Sequence, residues 1–306
     1  MRLWSVGFLL STVNLSMPLV FAAFGGLFSE RSGVINIALE GMMLFGAFVG
    51  VAVDFWTGSP WLGLLAGVAV GGVLGALHGL FSITVRADQI VSATAINLLA
   101  LGLTSALIAP IWGAPGVSPS VELIPPVHIP GADHLGAVGR FLQGLTPLDY
   151  AGFALVVVTF YVLYRRPSGL RLRACGESPD AAASSGVNVI RTRYVAVIVS
   201  GCLAALGGVY LSLGEVGLFQ RGMTQGRGFI ALAAMIFGKW RPIPVFLACV
   251  MLGAADAFQF RAQALGVPIP NELLLALPYI VALIALATFV GRASAPAAIG
   301  RPYVKG

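Results

Sequence analysis

The sequence predicts an all-α polytopic membrane protein of about eight to ten transmembrane helices, read as one domain over residues 1–306. Hydrophobic residues make up 58% of the chain and charged residues only 10%, against roughly a quarter charged in soluble domains. So few charges cannot cover a soluble surface. Apolar runs of about 20 residues, long enough to cross hydrocarbon, also recur along the chain.

In order, spans are predicted near 5–27, 34–53, 60–82, 90–110, 148–165, 194–213, 227–238, 242–260 and 273–291. The first reads as a membrane helix rather than a cleaved leader. Its apolar run is long, contains Asn14 and Pro18, and lacks a small-residue cleavage site before a polar start. The second is interrupted: within GLFSERSGVINIALEGMMLFGAF, residues 26–48, stand Glu30, Arg31, Asn36 and Glu40. Glu30 and Arg31 are expected in the turn between spans one and two, where charge costs little and Ser32-Gly33 restarts the chain. Asn36 and Glu40, four apart, are expected on one face of span two, with Met43 next along it.

The third span carries Gly63, Gly67, Gly71, Gly75 and Gly79 at every fourth position, a stripe that lets another helix approach closely. His78, near its end, is expected to be hydrogen-bonded at an interface. Asn97 lies midway along the fourth span, and the seventh span is short. Gly and Pro within spans are ordinary, because neighbouring helices satisfy the freed backbone groups.

Net charge is +6, and its distribution sets orientation. Arg165, Arg166, Arg171, Arg173, Arg191 and Arg193 crowd the segment 165–193, which the positive-inside rule places in the cytoplasm. Alternation then puts Arg86, Lys239, Arg241, Arg292, Arg301, Lys305 and Arg31 inside as well. Arg2, Arg140, Arg221, Arg227 and Arg261 fall outside. The N-terminus is expected outside and the C-terminus in the cytoplasm of a cytoplasmic-membrane protein. No basic tract interleaved with aromatics points to nucleic acid. Cys175, Cys202 and Cys249 show no paired spacing, so no disulfide is expected.

An outer loop, 111–147, is rich in proline (Pro115, Pro119, Pro125, Pro126, Pro130) and suits a docking surface. Its His128, Asp133 and His134 lack the defined spacing of a metal site, and none is expected. The inner loop, 166–193, has clearer grammar. Ser178 suits an N-cap, Pro179 the first helical position, Asp180 the positive end of the dipole and Gly186 the stop. These predict a helix of about two turns with a small face, Ala181, Ala182, Ala183 and Ser184, fit to sit in a groove on another protein.

Four separated motifs carry a family resemblance: ERSGVINIALEGMMLFGAF, QIVSATAINLLALGLTS, GESPDAAA followed by GVNVIRTRY, and VSGCLAALGGVYLSL followed by GRGFIALAAMIFGKWRP. Over residues 5 to about 291 the chain resembles the membrane subunits of ATP-binding-cassette (ABC) importers for ribose, branched-chain amino acids and nucleosides. It looks most like the nucleoside branch, because Gly33-Val34-Ile35-Asn36-Ile37 stands where ribose permeases carry a Gly-Ile-Asp-Leu-Ser type of segment. The resemblance implies a type II-like importer permease fold. It also implies that the inner loop is a coupling helix for a separate ATPase, with Gly176, Glu177, Pro179, Ala182 and Gly186 belonging to it. Implied partners are that ABC ATPase, a second related permease subunit, an extracytoplasmic substrate-binding lipoprotein and the bilayer. No cofactor is expected in this chain, ATP and Mg being held by the ATPase.

The chain itself has no GxxxxGK[ST] phosphate loop, no HExxH and no Gly-x-Ser-x-Gly elbow, so no catalytic centre is expected. Its intramembrane polar residues are Asn14, Asn36, Glu40, Asn97 and Asp256, and such residues face a bundle interior or a watery cavity. Asn36, Glu40 and Asn97, with Phe24 and Met43 as apolar contacts, are the candidate substrate pathway. Asn14 and Asp256 are expected to bond between helices. A faint echo, Gly33-Val-Ile-Asn-Ile-Ala against Gly228-Phe-Ile-Ala-Leu-Ala, has the form of a weak inverted repeat with a site near the midplane. The expected function is the permease of an ATP-driven nucleoside importer. The alternatives are the same machine for a simple sugar such as ribose, an ion-coupled secondary transporter, or a purely structural membrane subunit.

Overall fold

The computed structural model describes residues 6–267, 270–289 and 295–304; Arg2, Arg292 and Lys305, counted above for orientation, lie outside them. Its helices are α1 (Val6–Arg31), α2 (Leu39–Thr57), α3 (Pro60–Gly79), α4 (Gln89–Trp112), α5 (Gly136–Gln143), α6 (Pro147–Arg165), α7 (Pro167–Glu177), α8 (Pro179–Ser184), α9 (Val189–Val209), α10 (Arg227–Phe237), α11 (Pro242–Ala264) and α12 (Asn271–Phe289). Wider π-type turns, Leu80–Thr84 and Tyr210–Val216, extend α3 and α9. Among the described residues, α1, α2, α3, α4, α6, α9 and α11, with those extensions, are long and apolar enough to span a membrane. The seventh predicted span is α10, only 11 residues long.

Helix ends follow local chemistry. Proline opens α3, α6, α7, α8 and α11, where its missing N–H costs nothing. Thr146 and Asp149 form a reciprocal capping box on α6, and the Asp88 carboxylate accepts the Ile90 and Val91 amides at the start of α4. Gly58 and Gly113 end α2 and α4 in the left-handed conformation.

The centre of the bundle is α1, α2 and α9, with Phe21, Phe24, Met42, Met43 and Val209 fully buried. The glycine stripe of α3 is what lets it close on this centre. A Cβ on Gly63 would meet the Gly50 carbonyl, one on Gly67 the Gly46 carbonyl, and one on Gly75 would stand 2.6 Å from the Val197 oxygen. α9 answers with its own small seam, Gly201 lying against Gly71 and Gly208 against the Met43 backbone. At one end of the bundle the segment after α4 pairs with the extension of α9: Ser118 N donates to Phe219 O at 2.9 Å and Val121 N to Gly217 O at 2.8 Å. The predicted outer loop is therefore held as an extended strip followed by α5.

The opposite end gathers α7, α8, Arg31, Trp240 and residues 295–304, and is called the basic end below. Here Ala298 N donates to Gly176 O and Gly300 N to Gly33 O. The sequence echo does not correspond in register: Gly33 precedes α2 in non-helical chain, whereas Gly228 lies inside the first turn of α10. The structure instead brings the beginnings of α2 and α10 face to face.

Gly75→Val is expected to force α3 away from α9, lowering folded yield and costing roughly 1–3 kcal/mol or more by overpacking. Gly102→Ala, where an added Cβ meets nothing within 4 Å, is the control and should be neutral. Size-exclusion profiles and thermal melts of the two variants in detergent check this.

Candidate translocation site

α1 and α2 are joined by non-helical chain, residues 32–38. Its depth follows from α10. At the basic end, Trp240 Nε1 donates to Glu30 Oε2 at 2.6 Å and Arg31 Nε to Trp240 O at 2.9 Å. The other end of α10 meets Glu40. Eleven helical residues rise about 16 Å, so the chain climbs from Glu30 to Glu40 through roughly half of a ~30 Å hydrocarbon layer. α10 is thus a half-helix whose N-terminus stands at mid-depth.

Backbone at that depth must be satisfied by protein, and here nearly every partner is identifiable. Ile35 N donates to Gln89 Oε1 at 2.8 Å, and Ile35 O accepts from His78 Nε2 at 2.8 Å. A carbonyl only accepts, so Nε2 carries the proton; Nδ1 faces the Ser92 hydroxyl at 3.1 Å. Ser29 Oγ donates to Val34 O at 2.8 Å. Asn97 spans the start of α2, its Nδ2 donating to Ile37 O at 3.0 Å and its Oδ1 accepting from Gly41 N at 2.8 Å. Asn36 Oδ1 accepts from Ala38 N, and its Nδ2 donates to Ser200 Oγ at 2.8 Å.

Glu40 joins the two helix starts. Its Oε1 accepts from Thr224 Oγ1 at 2.6 Å and Gly226 N at 2.8 Å, and its Oε2 from Gly228 N at 2.7 Å. A carboxylate at the positive end of a helix dipole is favourable, and away from water more so. Glycine is needed here: Gly226 has φ of +82°, and a Cβ on Gly228 would collide with the Glu40 backbone.

Two expectations about this segment are corrected. Asn36 precedes α2 and does not share a helical face with Glu40, because the chain is still extended there. Glu30 is not in an open turn; it is buried under the Trp240 indole. Phe24 and Met43 are fully buried in the core. The structure brings Asn36, Glu40 and Asn97 together around one helix start.

Beside the Glu40 cap lies a cleft of about 310 Å³ between α10, α11 and α12, with polar and apolar lining. Gln225, Arg227, Asp256, Gln259, Phe260 and Tyr279 line it. Asp256, expected to tie helices together, instead faces this cleft, and no ion pair to it occurs among the described residues. Asn14 of α1 hydrogen-bonds Glu215 on the extension of α9, the interhelical role expected for it, and both line a neighbouring cavity.

At the basic end, Arg193 is 1% exposed. Its Nε donates to Ser32 O at 3.1 Å, one terminal nitrogen to Arg301 O at 3.0 Å and the other to Cys175 O at 3.3 Å. This guanidinium fastens the 32–38 segment to α7 and to residues 295–304. In α8 the predicted small face divides. Ala182 turns inward onto Cys175 and Val189, while Asp180, Ala181 and Ser184 face out. Ser178 holds the extended N-cap conformation without making the side-chain bond, and Gly186 turns the chain at φ +81°. Gly176 packs against the Arg31 carbonyl, and Glu177 stands 3.9 Å from Arg31. Gly176 and Ala182 are therefore internal; Glu177 and Gly186 are exposed and Pro179 half-buried.

Sequence reasoning left Gln89, Ser200, Thr224 and Trp240 unassigned and counted Arg193 only as positive charge. Arg193 alone carried a signal, being followed at once by the apolar run YVAVIV.

A half-length helix, a stitched non-helical segment and a cleft beside them are features shared with membrane permeases. The chain belongs to the family described as branched-chain amino acid transport system / permease component, whose model matches residues 8–286. It is 40% identical to the guanosine ABC transporter permease protein NupQ of Bacillus subtilis, over 97% of this chain and 96% of that protein. It is 37% identical to the nucleoside ABC transporter permease protein NupC of Lactococcus lactis, over 95% and 94%. A putative glucose ABC transporter permease protein, TsgC13 of Haloferax volcanii, is 38% identical over 88% and 82%. No solved structure matches the chain.

Glu40→Ala strips three donors of their acceptor, and hydrogen bonds to charged groups are worth about 1.5–3 kcal/mol each. The variant is expected to lose roughly 2–4 kcal/mol of stability and its transport, with Glu40→Gln intermediate. Thermal melts in detergent, paired with uptake assays, measure it; a wild-type melt for Glu40→Ala would remove the cap from the account.

Proposed function

We propose that this chain is the permease subunit of an ATP-driven importer that carries nucleosides across the cytoplasmic membrane, with the basic end in the cytoplasm. The observation that carries this is identity of 37–40% along nearly the whole chain to permeases named for guanosine and for nucleosides. The cleft supplies matching chemistry. Gln225 and Gln259 offer amides for base edges, Asp256 accepts from ribose hydroxyls, and Phe260 and Tyr279 offer aromatic faces. Asn36, Glu40 and Asn97 shape the wall of this route, with Phe24 and Met43 packed behind them. ATP and Mg belong to a separate ATPase that takes the outward face of α8. A second permease is supported by NupP of the same Bacillus strain, which is also similar to this chain at 24% identity. An extracytoplasmic binding lipoprotein delivers the solute.

A sugar cargo is the second reading, favoured by the likeness to TsgC13 and, at 26% identity, to the glucose permease TsgB13 of the same organism. Competition separates the two. In vesicles holding the complete transporter, guanosine and adenosine should block uptake of labelled nucleoside while glucose and ribose do not; the reverse pattern makes it a sugar importer. Uptake driven by an ion gradient without the ATPase would make it a secondary transporter. Asp256→Asn is expected to raise the KM for nucleoside about tenfold or more with the fold intact.

The outward geometry of α8 gives a separate expectation. Ala181→Arg should uncouple ATP hydrolysis from uptake with little change in melting, whereas Ala182→Arg should destabilise the loop itself. Basal and nucleoside-stimulated ATPase rates, with melts, distinguish these outcomes.

A further inference from the structure

Away from the translocation site lies a groove of about 610 Å³ between α6, α7 and α9 at the basic end. Its wall is apolar: Phe28 from α1, Val162 from α6, Leu172 from α7, and Val195 and Val199 from α9. Its mouth carries Arg171 and Arg191, and no acidic side chain lines it. We propose that this groove binds one anionic phospholipid, its phosphate held between Arg171 and Arg191 and an acyl chain laid along the apolar wall.

Depth argues for a lipid. From Asn188 at the mouth to Val199 is eleven residues of α9, about 16 Å, which equals one leaflet of a ~30 Å hydrocarbon layer. A soluble partner can cover the mouth but cannot reach side chains a leaflet deep. An acyl chain has that length, and Val195, 55% exposed on this wall, asks for an apolar neighbour.

Charge argues for an anionic headgroup. The other arginines of the loop are engaged: Arg166 lies over the Tyr161 ring, Arg173 over the Tyr164 ring, and Arg193 is buried among carbonyls. Arg171 and Arg191 are exposed and make no ion pair among the described residues. Two unpaired guanidiniums at a membrane surface, over an apolar slot, complement a phosphate with no cation of its own.

The test uses the purified full-length chain, delipidated and then offered phosphatidylglycerol or phosphatidylcholine in equal amounts, with retention read by native mass spectrometry. One retained phosphatidylglycerol per chain is expected, with phosphatidylcholine held about tenfold less. Each arginine contributes roughly a factor of five, so Arg171→Gln should weaken retention about fivefold. The double change Arg171→Gln/Arg191→Gln should abolish the preference between the two lipids. Val199→Trp, which fills the groove and leaves the arginines, should also lower retention, and melts of every variant report folding. Equal retention of the two lipids by the wild-type chain overturns the proposal whatever the variants do. If the arginine variants keep their lipid but lose co-purification with the ATPase, the mouth is a protein-docking surface and the lipid assignment falls.

Discussion

A backbone amide or carbonyl in hydrocarbon must be paired by the protein itself, because no water is there to do it. This molecule places residues 32–38, non-helical chain, under that constraint, and the surrounding architecture answers it. His78, Gln89 and Asn97, from α3 and α4, each serve a backbone group of that segment or of the first turn of α2. The glycine stripe of α3 serves the same end. By letting α3 lie close on α2 and α9, it brings His78 within 2.8 Å of the Ile35 carbonyl. Polar residues at membrane depth are in this case largely the cost of breaking a helix.

The broken segment is also where the basic end and the cleft meet. Gly176 and Glu177 of α7 rest on Arg31, Arg31 bonds the Trp240 carbonyl at the end of α10, and the start of α10 bonds Glu40. Contacts therefore run without a break from α7 to the start of α2 through a half-helix about 16 Å long and a few hydrogen bonds. Arg193 holds the near end of this chain of contacts by bonding three carbonyls from three different segments. Such contiguity gives α8 a short physical route to the cleft.

Much of the fold was legible in the sequence because its signals are local. Span lengths, the proline that opens α8 and the stop at Gly186 each depend on a few neighbouring residues. The site was half legible. Composition alone marks Asn36, Glu40 and Asn97 as unusual, but apart from Ala38 and Met42 beside Asn36 their partners lie 56 to 188 residues away, beyond any periodicity. Glu30 misled for a related reason: a carboxylate next to an arginine between two spans reads as solvated turn, and only Trp240 far along the chain makes it buried. The helical face assumed for Asn36 failed because Val34, Ile35 and Ile37 look alike in an extended segment and in a membrane helix.

Counting lone pairs decides which acid is left for a solute. A carboxylate has about four acceptor positions, and Glu40 already spends three on Thr224, Gly226 and Gly228. One position remains, and a ribose hydroxyl bound there would share its acceptor with the cap of α10. Asp256 holds no helix cap, and it faces the cleft beside Arg227, two glutamines and two aromatic rings. A permease must also release what it binds, so one or two unengaged groups on an otherwise committed wall suit transport better than a fully complementary pocket. Glu40 is accordingly committed to the helix cap, and Asp256 is the acid that faces the cleft.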